Sequence, residues 1–341
     1  MSTLLLDRAQ LEVRSEGEAL ALYEAGERRG TVPVKLLERC IIQGAQTRLD
    51  SGVLLKLAEA GVATVLLSPR LGRRVAVMLG AGHNDAAVRL AQAQRLSDAA
   101  GCLQWSCALI EAKLRRQRKT LGLWLAARPD ARKALSDAIA SVDTALQSVA
   151  ALAGTQDNNP QDPRSALAAL LGVEGAAARA HFSGLAAVVP PSLGFEGRNR
   201  RPPRDPVNAC LSLGYTLLHV EAVQAAHSTG LDPMLGFYHR PSFGRESLAS
   251  DLIEPLRASV DAWVWSLVRD RSLRAEHFTF DKGGQGACLL GKAGRAVFYA
   301  SWAREVKPLR RWLRRTTAAL ARTLRDEGAL SFSQDTEDES C

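Results

Sequence analysis

Long apolar runs are missing from this sequence. No segment approaches the roughly 18 uninterrupted apolar residues of a membrane-spanning helix, so no helical span is expected. The leading run, Leu4-Leu5-Leu6, is too short for a secretion signal, and Asp7 follows at once. Paired cysteines are missing as well. Cys40, Cys102, Cys107, Cys210, Cys288 and Cys341 stand apart with no C-x-x-C, which argues against a zinc ribbon or a disulfide framework. Cys102 and Cys210 lie in apolar runs and read as small core residues. There is no G-x-x-x-x-G-K-[ST], and no G-x-G-x-x-G after a strand, so nothing signals a nucleotide cofactor. No internal repeat is evident. Together these absences lead us to expect a soluble protein of a reducing, prokaryotic-type cytoplasm with no membrane partner.

What is present suffices for two domains: 341 residues, 46% of them hydrophobic. The formal net charge is +8, and Asp335, Glu337, Asp338 and Glu339 near the end carry four of the negatives. The body is therefore more basic than its total, which suits a polyanion such as nucleic acid.

Residues 1–80 read as a small β-rich domain for dimerisation or packing. Leu11–Arg14 and Leu20–Tyr23 alternate, with a turn at Ser15–Glu18 and another over Gly26–Gly30. Cys40–Ile42 and Val62–Leu67 read as buried strands, and Ser51–Ala60 as a helix with Ser51 at its N-cap. Near residues 80–82 the apolar period lengthens to that of a helix, and residues 85–328 read as a helical domain with a break at Arg128-Pro129-Asp130. The basic stretch Glu111–Lys119 is either a solvated face or a track for phosphates. Residues 154–164 read as a loop, followed by a helix from Ser165 through Phe182. Arg198, Arg200, Arg201 and Arg204 cluster in a proline-rich loop, either solubilising or clamping phosphate. Asn208 opens an apolar helix carrying Tyr215, read as a core residue or a DNA-end contact. Ala296–Ala300 reads as extended, a last helix with Pro308 in its first turn follows, and residues 329–341 read as an acidic, disordered tail.

The functional signal lies between two acids. Leu167, Leu170, Leu171, Glu174, Ala178 and His181 share one face, and a carboxylate on an apolar stripe is at a rim, neutralised by a partner, or bound to a metal. Further on, Gly230-Leu231-Asp232-Pro233 leads to His239, a basic loop containing Arg245, and a helix from about Ser247. Asp251 and Glu254 lie on neighbouring turns of one side, and Pro255 is placed to kink the helix beyond them. An imidazole with carboxylates suits a hard divalent cation, Mg2+ or Mn2+, better than a thiolate-loving metal.

These residues carry a resemblance. Gly230, Asp232, Pro233, Gly236, His239, Gly244, Arg245, Ser247, Leu248, Asp251, Leu252 and Glu254 match a signature of the CRISPR adaptation integrases, metal-dependent DNA endonuclease-like proteins that insert new spacers. Gly172, Glu174, Gly175, Ala178 and Arg179 resemble a second motif of that family, with His181-Phe182 where Tyr-Phe is usual. The resemblance implies an α+β multidomain fold: a β-rich N-terminal domain, then a larger, mostly α-helical catalytic domain. It implies that Glu174, His239 and Glu254 hold the metal. Asp251 stands by as a direct ligand, a second metal's ligand, or an acceptor that orients His239. Arg198, Arg200, Arg201, Arg204, Arg245 and Tyr215 would contact DNA. The implied reaction joins the 3′-hydroxyl ends of a double-stranded fragment to a CRISPR repeat, in an asymmetric homodimer assembled with a small ferredoxin-like adaptation protein. A general metal-dependent nuclease and a non-catalytic DNA scaffold are the competing readings.

Overall fold

In the computed structural model, the residues described are 2–8, 10–44, 46–69, 74–80, 82–83, 86–154, 162–199, 202–281 and 286–338, without the side chains of 2 and 328–338. The protein is α+β, with strands first and mostly helices after them. It divides into two compact units, Met1–Asn84 with Tyr299–Lys307, and Asp85–Phe298 with Pro308–Cys341. The segment Tyr299–Lys307 thus departs from the simple order of domains along the chain.

The first unit contains β1 (Ser2–Leu6), β2 (Leu11–Glu16), β3 (Ala19–Glu24), β4 (Glu27–Pro33), β5 (Leu37–Ile42), β6 (Arg48–Leu49), α1 (Ser51–Glu59), β7 (Ala63–Leu67) and β8 (Arg74–Met78). One sheet runs β1-β5-β7-β8 and the other β4-β3-β2-β6. The first is parallel from β1 to β7 with an antiparallel β8. Alternation along β2 and β3 buries Leu11, Val13 and Leu20, which pack with Leu6, Cys40, Val53 and Leu57 into one core. The β3–β4 turn is tighter than expected. Ala25 and Gly26 carry φ of 53° and 84°, the mirror-image hairpin turn, and β4 already begins at Glu27. Its solvent-facing Glu27, Arg28 and Arg29 show no apolar pattern to betray a strand. The cap of α1 is Asp50, not Ser51: its Oδ1 accepts the Val53 N–H at 2.8 Å. Tyr299 Oη donates to Gln43 Oε1 at 2.8 Å within this unit.

The second unit contains α2 (Ala86–Arg95), α3 (Ala99–Ala127), α4 (Arg132–Gly154), α5 (Pro163–Val188), α6 (Pro206–Ser228), α7 (Ser247–Ile253) and α8 (Arg257–Arg269). The short hairpin β9 (Phe278–Phe280) and β10 (Cys288–Leu290) follows, then α9 (Lys292–Asp338). An additional break separates α2 from α3, where Asp98 accepts the Gly101 N–H at 2.8 Å. Asp162 rather than Ser165 caps α5, which runs past Phe182 to Val188. Asp205 caps α6, three residues before Asn208. Helices α3, α4 and α5 pack closely enough that a Cβ on Gly184 would meet Leu121 Cδ2 at 2.6 Å. Pro255 turns the end of α7 into a 3-10 turn, Glu254–Leu256, before α8 begins. Residues 296–300 are helical, not extended, because Phe298, Trp302, Val306, Leu309 and Leu313 are buried at helical spacing. Pro308 consequently lies inside α9, not in its first turn. The helix also runs to Asp338, into the stretch expected to be disordered, with no later proline to stop it. Among the described residues, no helix is long and apolar enough to cross a membrane.

Candidate active site

Three elements of the helical unit meet at one ammonium group. Lys113 projects from the middle of α3, whose Ile110, Leu114 and Leu121 are buried on the same stripe. Its Nζ donates to Glu174 Oε1 of α5 and, at 2.6 Å, to Glu254 Oε2 in the turn after α7. Lys113 and Glu254 side chains are each only 7% exposed, so these are desolvated charges. Arg257 closes the other side, Nε to Glu254 Oε1 at 2.9 Å. Burial works against the ionised Glu254, but Arg257 and Lys113 outweigh it and hold its carboxyl well below the usual range; His239 pulls the same way. Burial likewise opposes the Lys113 ammonium, and Glu254 and Glu174 overcome it, raising its pKa.

His239 comes from the loop between α6 and α7. Gln92 of α2 is buried and clamps that loop: its Nε2 donates to the carbonyls of Asp232 (2.9 Å) and Leu235 (2.8 Å), and its Oε1 accepts the Asp232 N–H at 2.8 Å. Gly236 is required by contact, since a Cβ there would stand 2.5 Å from the Ser247 carbonyl carbon and 2.7 Å from the His239 oxygen. Asp251, wholly buried on α7, gathers the loop. Its Oδ2 accepts the N–H groups of Phe237 (2.8 Å) and Tyr238 (3.1 Å), and its Oδ1 accepts the His239 N–H at 2.9 Å. The same Oδ1 lies 2.7 Å from His239 Nδ1. A carboxylate there favours the tautomer with the proton on Nδ1, the form in which Nε2 can serve as a metal ligand. Of the roles left open for Asp251, this geometry describes the orienting acceptor.

Behind the carboxylates lies a buried polar chain. The Arg257 guanidinium sits over the Tyr215 ring, 4.7 Å from its centroid. Tyr215 Oη donates to Asp261 Oδ1, and Asp261 Oδ2 lies 2.9 Å from His181 Nε2. Tyr215 is therefore buried with its hydroxyl turned to Asp261, and His181 faces inward against Trp124 rather than joining Glu174. Neither Lys113 nor Arg257 stood out in the sequence. The available signal for Lys113 was its place on the apolar stripe of α3, a position more telling than its membership of a basic run.

The arginines divide. Arg198 is turned onto α6, Nη1 to Asn208 Oδ1 at 2.7 Å and Nη2 to Ser212 Oγ at 3.1 Å, and acts as a brace. Arg204 and Arg245 are exposed, as is Arg240 beside the site. Arg200 and Arg201 lie outside the described residues. Between Arg240 and Arg245, Phe243 stands fully exposed on a tight turn whose Gly244 has φ of 67°.

The donor set suits a hard divalent cation. Two carboxylates already converge on a positive charge, with an imidazole beside them. Tyr238 Oη is buried without a hydrogen-bond partner, and after burial the charges of Glu174, Glu254 and Asp251 push its pKa up. An orphaned hydroxyl facing carboxylates fits a site that takes a hydrated ion. Among the described residues, however, no group of three His, Cys, Asp or Glu side chains is gathered as a finished metal site. The trio Glu174, His239 and Glu254 is not closed, because the ammonium of Lys113 occupies the meeting point of the two glutamates.

Comparison with known proteins agrees with this layout. Residues 4–304 match the family model described as CRISPR associated protein Cas1. A relative from Thermodesulfovibrio yellowstonii, "CRISPR-associated endonuclease Cas1 1", is 34% identical over 96% of this chain and 98% of its own. The structure of a casposase bound to integration product superposes with a TM-score of 0.80 at 22% identity, covering 96% of this chain and 91% of that one. A Cas6-RT-Cas1–Cas2 complex gives a TM-score of 0.76 at 22% identity, covering 96% of this chain and 35% of the longer one. The fold, the motif spacing and the extent of these matches together place the chain in the Cas1 family of CRISPR-associated proteins.

Proposed function

We propose that this protein is a metal-dependent DNA endonuclease and integrase of CRISPR spacer acquisition, joining the 3′-hydroxyl ends of a captured fragment to a CRISPR repeat by transesterification. The observation that carries this reading is the convergence of Glu174 and Glu254 on one cation, with Asp251 orienting His239 beside them. Glu174, Glu254 and His239 Nε2 would hold Mg2+ or Mn2+, which when bound supplies polarisation of the phosphodiester and stabilisation of the charge built up in an in-line displacement.

The protein's own groups prepare that chemistry. Arg257 and Lys113 keep Glu254 ionised, and Asp251 holds the His239 ring in place through Nδ1, leaving Nε2 as the nitrogen turned away from that contact. The attacking group comes from DNA, so no side-chain nucleophile is needed. Arg204, Arg240 and Arg245 offer exposed charge for phosphates. Phe243, exposed between two arginines, offers a face on which a base can stack. The endonuclease name of the Thermodesulfovibrio relative and the integration product held by the casposase support the reaction class. The neighbour named as a Cas1–Cas2 complex supports assembly with a partner protein; that the assembly is a homodimer with a small ferredoxin-like protein is part of the proposal.

Strand transfer tests the reading. Labelled DNA with free 3′-hydroxyls, a plasmid carrying a repeat, the partner protein and Mn2+ or Mg2+ are incubated with wild type and with His239→Ala. Metal-dependent joined product from wild type alone is the expected result. DNA binding without joining under either metal would make the protein a scaffold, and cleavage without joining a general nuclease.

A further inference from the structure

We propose that Lys113 is an internal counter-cation that holds Glu174 and Glu254 together in the metal-free protein and competes with the divalent cation for the same two oxygens. The inference deepens the metal-dependent reading above and rests on it.

Two carboxylates brought to one poorly hydrated point repel each other unless a positive charge lies between them. In this structure that charge is Lys113 Nζ, which donates to Glu174 Oε1 and Glu254 Oε2. These oxygens come from different elements, α5 and the turn after α7, while the lysine comes from α3. One side chain thus pins three elements into the arrangement that a metal would otherwise have to assemble. A compact ammonium and a divalent cation seek the same spot, and both cannot occupy it.

The division of labour at Glu254 supports exchange rather than permanent pairing. Arg257 takes the other oxygen, Oε1, at 2.9 Å and can keep it when Oε2 is surrendered. Lys113 sits on a four-carbon flexible stem, unlike the planar fork of an arginine, and can swing without moving α3. A second acceptor lies one helical turn away: Gln117 is buried on the same face, and its Oε1 has no hydrogen-bond partner. Displacement of Lys113 by metal would therefore open the site while leaving the ammonium with somewhere to go. The consequence is a preassembled but self-occupied centre, whose affinity for metal is lowered by the contacts it must break.

Mn2+ alone, titrated calorimetrically into the full chain, tests this, together with thermal unfolding with and without Mn2+. Lys113→Met should bind Mn2+ at least about tenfold more tightly than wild type, because the competitor is gone. Its metal-free Tm should fall, and its Mn2+-induced rise should exceed that of wild type. Lys113→Arg, which keeps the cation, should bind Mn2+ no more tightly than wild type. Unchanged or weaker Mn2+ binding by Lys113→Met overturns the proposal. So does failure of that variant to fold even when refolded in Mn2+, whereas folding only in Mn2+ upholds it. Glu174→Gln separates the two levels: if it binds Mn2+ as wild type does, the metal site itself is misassigned, irrespective of Lys113.

Discussion

His239 and Asp251 are joined twice, once through the histidine's backbone N–H at 2.9 Å and once through its ring Nδ1 at 2.7 Å, both to the same Oδ1. One buried oxygen therefore sets both the path of the loop and the tautomer of the ring. Asp251→Asn would place an amide where one of the two acceptor oxygens now meets N–H donors. We expect it to cost roughly 2–3 kcal/mol of stability in urea unfolding, the scale for a hydrogen bond to a charged group. Loss of the oriented ring should also weaken Mn2+ binding about 10- to 100-fold, measurable by calorimetry.

Glu254 gives the site a pH signature. Its folded pKa lies below its ordinary 4.5, burial being outweighed by Arg257 and Lys113. A depressed carboxyl stabilises the fold fully above that ordinary value and progressively less as the pH falls toward the folded one. The Tm difference between wild type and Glu254→Gln should therefore be constant from pH 5 to 7 and shrink below about 4.5. A difference that grows on acidification would reverse the assignment.

Tyr238 carries a buried hydroxyl with no hydrogen-bond partner among the described residues. Removing it in Tyr238→Phe should leave the metal-free Tm unchanged or raised, since an unsatisfied polar group costs about 1–3 kcal/mol to bury. Strand-transfer rate at saturating Mn2+ should nevertheless fall, if the hydroxyl meets a hydrated ion or a phosphate oxygen. A fall in Tm with unchanged rate would make Tyr238 a packing residue.

Phe243 is fully exposed and not packed into a core among the described residues. Phe243→Ala should leave Tm unaltered and weaken binding of a DNA end by about 1–3 kcal/mol, the scale for loss of one stacked base. Fluorescence anisotropy with duplexes bearing single-stranded 3′ ends reads this directly, and unchanged affinity would remove Phe243 from the interface.

Burial pushes the Cys40 and Cys288 thiols up to about 12. At pH 8 almost no thiolate forms on either, so native iodoacetamide labelling should spare both and denaturation should expose them. Mass spectrometry of the labelled peptides gives the answer.

Much of the site could be read from sequence because its parts are local. Asp232, Gly236, His239, Asp251 and Glu254 fall within one loop-and-helix segment, and Glu174 lies on a helical face with His181. What escaped was decided by distant meetings. Lys113 looks like its neighbours Arg115 and Arg116 in a basic run, and only the approach of α5 and the turn at Glu254 gives it a different fate. Tyr215 faces Asp261, 46 residues away, so its hydroxyl belongs to the core for a reason no short window contains. The same holds for residues 296–300, whose valine and aromatics fit a strand locally and are claimed by a long helix.

The first compact unit is completed from the far end of the polypeptide: Gln43 receives the hydroxyl of Tyr299, 256 residues later. At roughly 5–20 residues per second, a ribosome delivers that segment on the order of ten to fifty seconds after the strands have emerged. Through that interval the newborn strands wait without the helical piece that finishes them. A chain cut after residue 84 would wait indefinitely.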